Sequence, residues 1–133
     1  METSEANKEY IRFKLAQAGE SYEEAKGLLA DGAELSYVVN SLYYAFYYPV
    51  LALLRAKGVP SAMQSVSIAL FDREFVQTGF FEKRFSDAVH RAFNLKPKCS
   101  GETPAVITRD EVEALLAEAR DFLDAVRQKA GVS

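Results

Sequence analysis

A single histidine, a single cysteine and a cluster of cations set the chemistry open to these 133 residues. His90 stands beside Arg91. An imidazole that titrates near neutrality, next to a guanidinium that stabilises a phosphorane, suits acid–base cleavage of RNA. Successive helix residues point about 100° apart, so the two would need a second chain to meet at one phosphate. The run Asp87-Ala88-Val89-His90 has the one-turn spacing of half a carboxylate-bridged metal site. A di-iron bundle requires two such pairs and two further glutamates, and a zinc site here would have to draw its remaining ligands from carboxylates. No metal and no cofactor are therefore expected. Cys99 is alone, which excludes an intrachain disulfide. The seven glycines form neither GxxxxGK[ST] nor GxGxxG, so the phosphate loops of nucleoside triphosphate hydrolysis are absent.

Five cations, Lys83, Arg84, Arg91, Lys96 and Lys98, accompany only Glu82 and Asp87, a local basic excess in a chain of net charge -3. Two readings stand. Such a stretch forms a phosphate-binding face, or it is a solvated helix face carrying an i,i+4 pair between Lys83 and Asp87. The overall charge argues against a bulk electrostatic affinity for nucleic acid. Tyr43, Tyr44, Tyr47 and Tyr48 cover more than one side of a helix. Either their rings pack the core with hydroxyls reaching the solvent edge, or Tyr43, Tyr47 and Tyr48 line a dimer seam. Asn40 and Ser41 fall at positions expected to be covered, where polar groups need hydrogen-bond partners.

The elements that hold these residues are helices. Ile11, Leu15, Ala18, Tyr22, Ala25 and Leu29 paint one stripe over about residues 4–30, ended by Asp31-Gly32. A second helix over about residues 33–57 is apolar nearly all round, with Leu35, Val39, Leu42, Phe46 and Leu53 on one face and Tyr37, Tyr44, Tyr48 and Leu51 on another. That is the pattern of a central helix, and Pro49 inside it predicts a kink. A third helix over about residues 62–77 directs Val66, Leu70 and Phe71 inward, and a fourth runs over about residues 81–95 up to Pro97. Thr108 and Glu111 form a capping box for the last, which carries Val112, Leu115, Leu116, Ala119, Phe122, Leu123 and Val126. The fold class is all-α: an up-and-down bundle of about five helices with a four-helix core, in one domain over residues 1–133. Apolar residues make up 49% and charged residues 26%, an ordinary globular mix. The apolar run over residues 42–54 is shorter than a bilayer span and the N-terminus has no signal-like stretch, so no membrane partner and a cytoplasmic location are expected.

The segment from Tyr37 to Gly58, with its Tyr43-Tyr44-Ala45-Phe46 core, resembles the second helix of HEPN domains, the higher-eukaryote and prokaryote nucleotide-binding family. Phe75-Val76-Gln77-Thr78-Gly79 is similar to the end of that family's third helix, Arg91-Ala92-Phe93-Asn94 to its Arg-x-x-Asp element, and residues 108–126 to its closing helix. The resemblance implies a symmetric homodimer, often paired with a minimal nucleotidyltransferase in a toxin–antitoxin-like system. It also implies a cleft lined by Asn40, Ser41, Tyr44, Arg91 and Asn94 that takes a nucleotide or RNA. Active members are metal-independent endoribonucleases with an Arg, four to six intervening residues and a His. Here those positions after Arg91 are Lys96, Pro97 and Lys98, and no tyrosine follows Tyr48 to receive a nucleotidyl group. The expected module is therefore a binding protein with a degenerate motif. The alternatives are a ribonuclease in which His90 serves with Arg91, and a structural helical module without a ligand.

Overall fold

The structure is a computed structural model that describes residues 4–60, 63–97 and 106–130. It is built from helices, with no strand among the described residues.

Helix α1, Glu5–Ala30, starts where the Ser4 hydroxyl accepts the Asn7 N–H, satisfying one of the donors a helix start leaves unpaired. Its stripe of Ile11, Leu15, Ala18, Ala25 and Leu29 is buried against α2, Leu35–Lys57. Contacts of residue 10 with residue 55 and of residue 24 with residue 41 make the two helices antiparallel. α2 also packs on each later α-helix, which is why Val38, Val39, Leu42, Tyr43, Phe46, Val50, Leu53 and Leu54 can all be buried although they point in several directions. By length and composition α2 would cross a membrane, but 72% of that window is buried inside the fold, as a core helix requires. Pro49 lies buried within this one helical span.

α2 ends on Gly58 at φ 76°, with Gly58 N–H on the Arg55 carbonyl and Val59 N–H on the Leu54 carbonyl. These two bonds close a left-handed cap that a side chain strains. No atom lies within 4 Å of a Cβ added there. Gly58→Ala is thus expected to destabilise by the backbone penalty alone, about 1 kcal/mol, read from the urea midpoint.

Helix α3, Gln64–Phe71, runs into a π-helical stretch, Asp72–Val76. Its inward residues are Ser67, Ile68, Phe71 and Phe75, whereas Val66, expected to face the core, is 44% exposed. Val66 precedes Phe71 by five residues, which places it about 140° around the helix, so the turn that buries Phe71 turns Val66 out. α4 spans Lys83–Leu95 and stops because Lys96, before Pro97, is extended at ψ 149°. Phe81, expected inside this helix, lies before its first residue and is still buried. α5, Arg109–Ala130, begins with the Thr108 hydroxyl accepting the Glu111 N–H at 3.2 Å. Contacts of 84 with 118 and of 91 with 111 make α4 and α5 antiparallel. The core closes on the rings of Phe46, Phe71, Phe81, Phe85 and Phe122.

Candidate functional site

α4 carries both residues with acid–base or phosphate chemistry and sends them to different neighbours. His90 Nε2 lies 2.5 Å from Asp72 Oδ2, a pairing suited to the tautomer with its proton on Nε2. The other Asp72 oxygen accepts the hydroxyl of buried Ser86 at 2.6 Å. Asp72 opens the π-helical stretch, a local widening of the kind often found at functional positions. Arg91 reaches instead to α5, where its Nε and Nη2 donate to both oxygens of Glu111 at 2.5 and 3.1 Å. That two-point contact holds the guanidinium above its usual pKa. Adjacent helix positions have separated the imidazole from the guanidinium, so within one chain they serve different contacts.

The two arginines of α4 are paired from α5. Arg84 donates to Glu82 at 2.9 Å, to Glu118 at 3.0 Å and to Asp121 at 3.1 Å, and the Glu82 bond leads in raising its pKa. Lys83 pairs with Asp87 at 3.4 Å on the exposed surface. Lys96 places its ammonium 5.5 Å from the ring centres of both Tyr43 and Phe93. Lys98 lies outside the described residues, as does Cys99. Part of the local basic excess read along the sequence is therefore offset in space by acids 20 to 37 residues further along the chain. Between α4 and α5 lies an open groove of about 320 Å³ lined by Arg84, Arg91, Glu111 and Glu118.

Of the α2 residues assigned to a cleft, Ser41 is buried and donates to Glu24 of α1 at 2.5 Å. Asn40, expected to be covered, is exposed, as is Asn94. Tyr44 is half-buried against Tyr43 and Tyr48. Among the described residues no hydrogen bond joins these α2 side chains to Arg91 or Asn94. The tyrosines divide sharply. Tyr43 is wholly buried, stacks on Tyr47 at 5.5 Å and donates its hydroxyl to Gln64 Oε1 at 2.8 Å. Tyr47 is 6% exposed. Both belong to the core of a single chain, so of the three tyrosines assigned to a seam only Tyr48 keeps surface. The aromatic surface that remains combines half-buried Tyr44, Tyr48 and Leu51 with exposed Tyr37 on α2, and with Phe13 and Lys14 on α1. The Lys14 ammonium sits 5.1 Å from the Tyr48 ring centre.

Sequence reasoning missed three partners: Asp72, Ser86 and Glu111. Glu111 had a local reading as the acidic half of a capping box, and nothing in its spacing pointed to Arg91 twenty residues away. Among the described residues no three histidine, cysteine, aspartate or glutamate side chains gather as a metal site.

A family model described as HEPN domain matches residues 11–129. A UPF0332 protein of Thermotoga maritima is 33% identical over 118 residues, covering 89% of each chain. Two proteins of Methanocaldococcus jannaschii are also similar. "Putative toxin MJ0142" is 25% identical over 86% of this chain and 78% of its own, and "Putative toxin MJ0605" is 26% identical over 91% and 89%.

Proposed function

The chain belongs to the HEPN-domain family, and on that premise we propose that it is the homodimeric helical member of a toxin–antitoxin-type pair in the cytoplasm, bound by a minimal nucleotidyltransferase and receiving RNA or a nucleotide. The observation that carries a binding role over a catalytic one is the state of Arg91. Its guanidinium is held at two points by Glu111, and none of the residues at 96–98 is a histidine. Support for the pairing comes from relatives named as toxins that match most of the chain. Support for a second copy comes from the apolar stripe of Tyr37, Tyr44, Tyr48 and Leu51, which the single chain leaves partly uncovered. The seam is accordingly assigned to this stripe, with Tyr43 edge-on to Tyr44 at 5.1 Å behind it.

Light scattering is expected to give twice the 14.8 kDa chain mass at micromolar concentration. Co-expression with the product of an adjacent nucleotidyltransferase gene should yield a complex that survives purification. A strict monomer, or failure to associate, removes the reading. A second reading, a ribonuclease, draws on the oriented His90–Asp72 pair. It predicts RNA cleavage that Arg91→Ala abolishes, and a pure preparation without cleavage ends it.

A further inference from the structure

We propose that the α4–α5 groove is an anion site in which Arg91 receives a phosphate group, and that Glu111 sets its affinity as a resident competitor for that guanidinium. The phosphate comes from an RNA backbone or from a free nucleotide; the inference rests on the ligand-binding part of the reading above and supplies its location.

Arginine holds phosphates through the same planar fork that it uses on carboxylates, with two parallel N–H donors on two oxygens. Arg91 presents that fork, Nε and Nη2, to the two Glu111 oxygens, so the carboxylate occupies the place a phosphate would take. The pair stands at the surface, with Arg91 44% and Glu111 26% exposed in their side chains. Ion pairs so exposed are weakly held, so a phosphate oxygen pair can compete with the carboxylate for the guanidinium.

Glu111 also has somewhere else to go. In a closed capping box the carboxylate three residues into the helix returns to the N–H of the N-cap residue. The Thr108 hydroxyl makes its half of that exchange, on the Glu111 N–H at 3.2 Å. The other half is open: Thr108 N–H has no acceptor among the described residues, because the carboxylate is on Arg91. One rotation of the Glu111 side chain would close the box and free the guanidinium, and each arrangement satisfies the carboxylate.

Arg84, two turns before Arg91 on the same groove, is restrained differently, since Glu82, Glu118 and Asp121 all engage it. Among the described residues Arg91 has one carboxylate partner, which leaves it more open to capture by a phosphate than Arg84 is.

The test compares the wild-type chain with Glu111→Gln, Glu113→Gln and the double variant Glu111→Gln, Arg91→Ala. Binding is followed by fluorescence anisotropy with a labelled single-stranded oligoribonucleotide and by calorimetry with ATP. Glu111→Gln is expected to bind about tenfold more tightly, with a salt dependence steeper by about 0.7 for each further phosphate of the single strand that the protein neutralises. Glu113→Gln makes the same charge change outside the groove, at a residue paired with Arg109 at 3.1 Å, and should leave affinity close to wild type. The double variant should lose the increase. Tighter binding of the oligonucleotide alone assigns the site to RNA backbone, and tighter binding of ATP alone assigns it to nucleotides. If Glu111→Gln and Glu111→Ala both bind the two probes as the wild type does, or Glu113→Gln tightens binding as much, the proposal is wrong. Glu111→Ala, checked for helicity by circular dichroism, guards against a glutamine that keeps hold of Arg91. A dimer that binds its nucleotidyltransferase but shows no rise in affinity overturns this inference alone. A monomer whose affinity rises overturns only the dimer.

Discussion

Phe122→Ala is expected to destabilise the chain by about 3–5 kcal/mol, the largest effect expected of any single truncation in this fold. Phe122 is fully buried, and its ring centre lies 6.2 Å from Phe46, 5.5 Å from Phe71, 5.8 Å from Phe81 and 5.2 Å from Phe85. Those four rings come from α2, α3, the turn before α4, and α4, so the α5 ring is where separate elements meet. Truncation removes the apolar transfer energy of the ring and leaves a cavity. Because the surrounding rings are anchored on different elements, none can move in to fill it without dragging a helix, which places the cost high in the usual range. Urea unfolding measures it. Phe13→Ala, at a ring that is 61% exposed, is the control and should fall within about 0.5 kcal/mol of wild type. A loss at Phe122 no greater than at Phe13 would mean that the aromatic hub does not hold the bundle together.

The same hub shows what a sequence read in isolation conveys. The stripes of α1 and α5 were legible because each of these helices buries one face, and a single face leaves a period of three and four residues. Phe122 was legible as core for that reason. α2 was legible as the central helix because it is apolar on several sides. What periodicity could not supply was the division among its tyrosines. Tyr43 is covered by Gln64 of α3 and Phe93 of α4, and Tyr47 stacks on Tyr43, whereas Tyr37 on the same helix is 62% exposed. The inward face of α3 was misjudged for a related reason. An eight-residue helix offers too few repeats to fix its rotation, and Phe71 and Phe75 set it through contacts with Phe81.

The site was less legible than the fold because its decisive contacts are long-range and ionic. Arg91 was found from its type and its neighbours. Its state was not, since Glu111 lies on another helix and has a sufficient local explanation as a capping residue. The basic stretch suffered the same way: charge counted along a chain is one-dimensional, and α5 returns antiparallel to α4 with acids at the matching two-turn interval, 118 against 84 and 111 against 91. His90 found its partner through a π-helical stretch for which no local sequence signal was read.

Alkaline stability should report on Tyr43 above all, since burial raises its hydroxyl further than that of Tyr48. Burial is the main cause that raises its hydroxyl well above the ordinary tyrosine value, and the neighbouring Tyr47 and Tyr44 add to it. The folded chain therefore keeps the Tyr43 proton at pH values where the unfolded chain releases it. A group whose folded pKa lies above its unfolded one contributes stability that is complete below the unfolded value, about 10 for tyrosine, and is lost as pH rises beyond it. With one proton more bound in the folded state, the loss is about 1.4 kcal/mol per pH unit. Tyr43→Phe keeps the ring stacked on Tyr47 but removes the bond to Gln64, which should lower stability near neutral pH by about 1 kcal/mol. It also removes the ionisation. Urea unfolding from about pH 7 to about pH 11 is expected to show the variant weaker at the low end and equal to or stronger than wild type at the high end. All other titrating groups are common to both proteins and cancel in the difference. Two stability curves that stay parallel across that range would show that the Tyr43 hydroxyl ionises as freely in the fold as out of it, and that its bond to Gln64 is not closed to solvent.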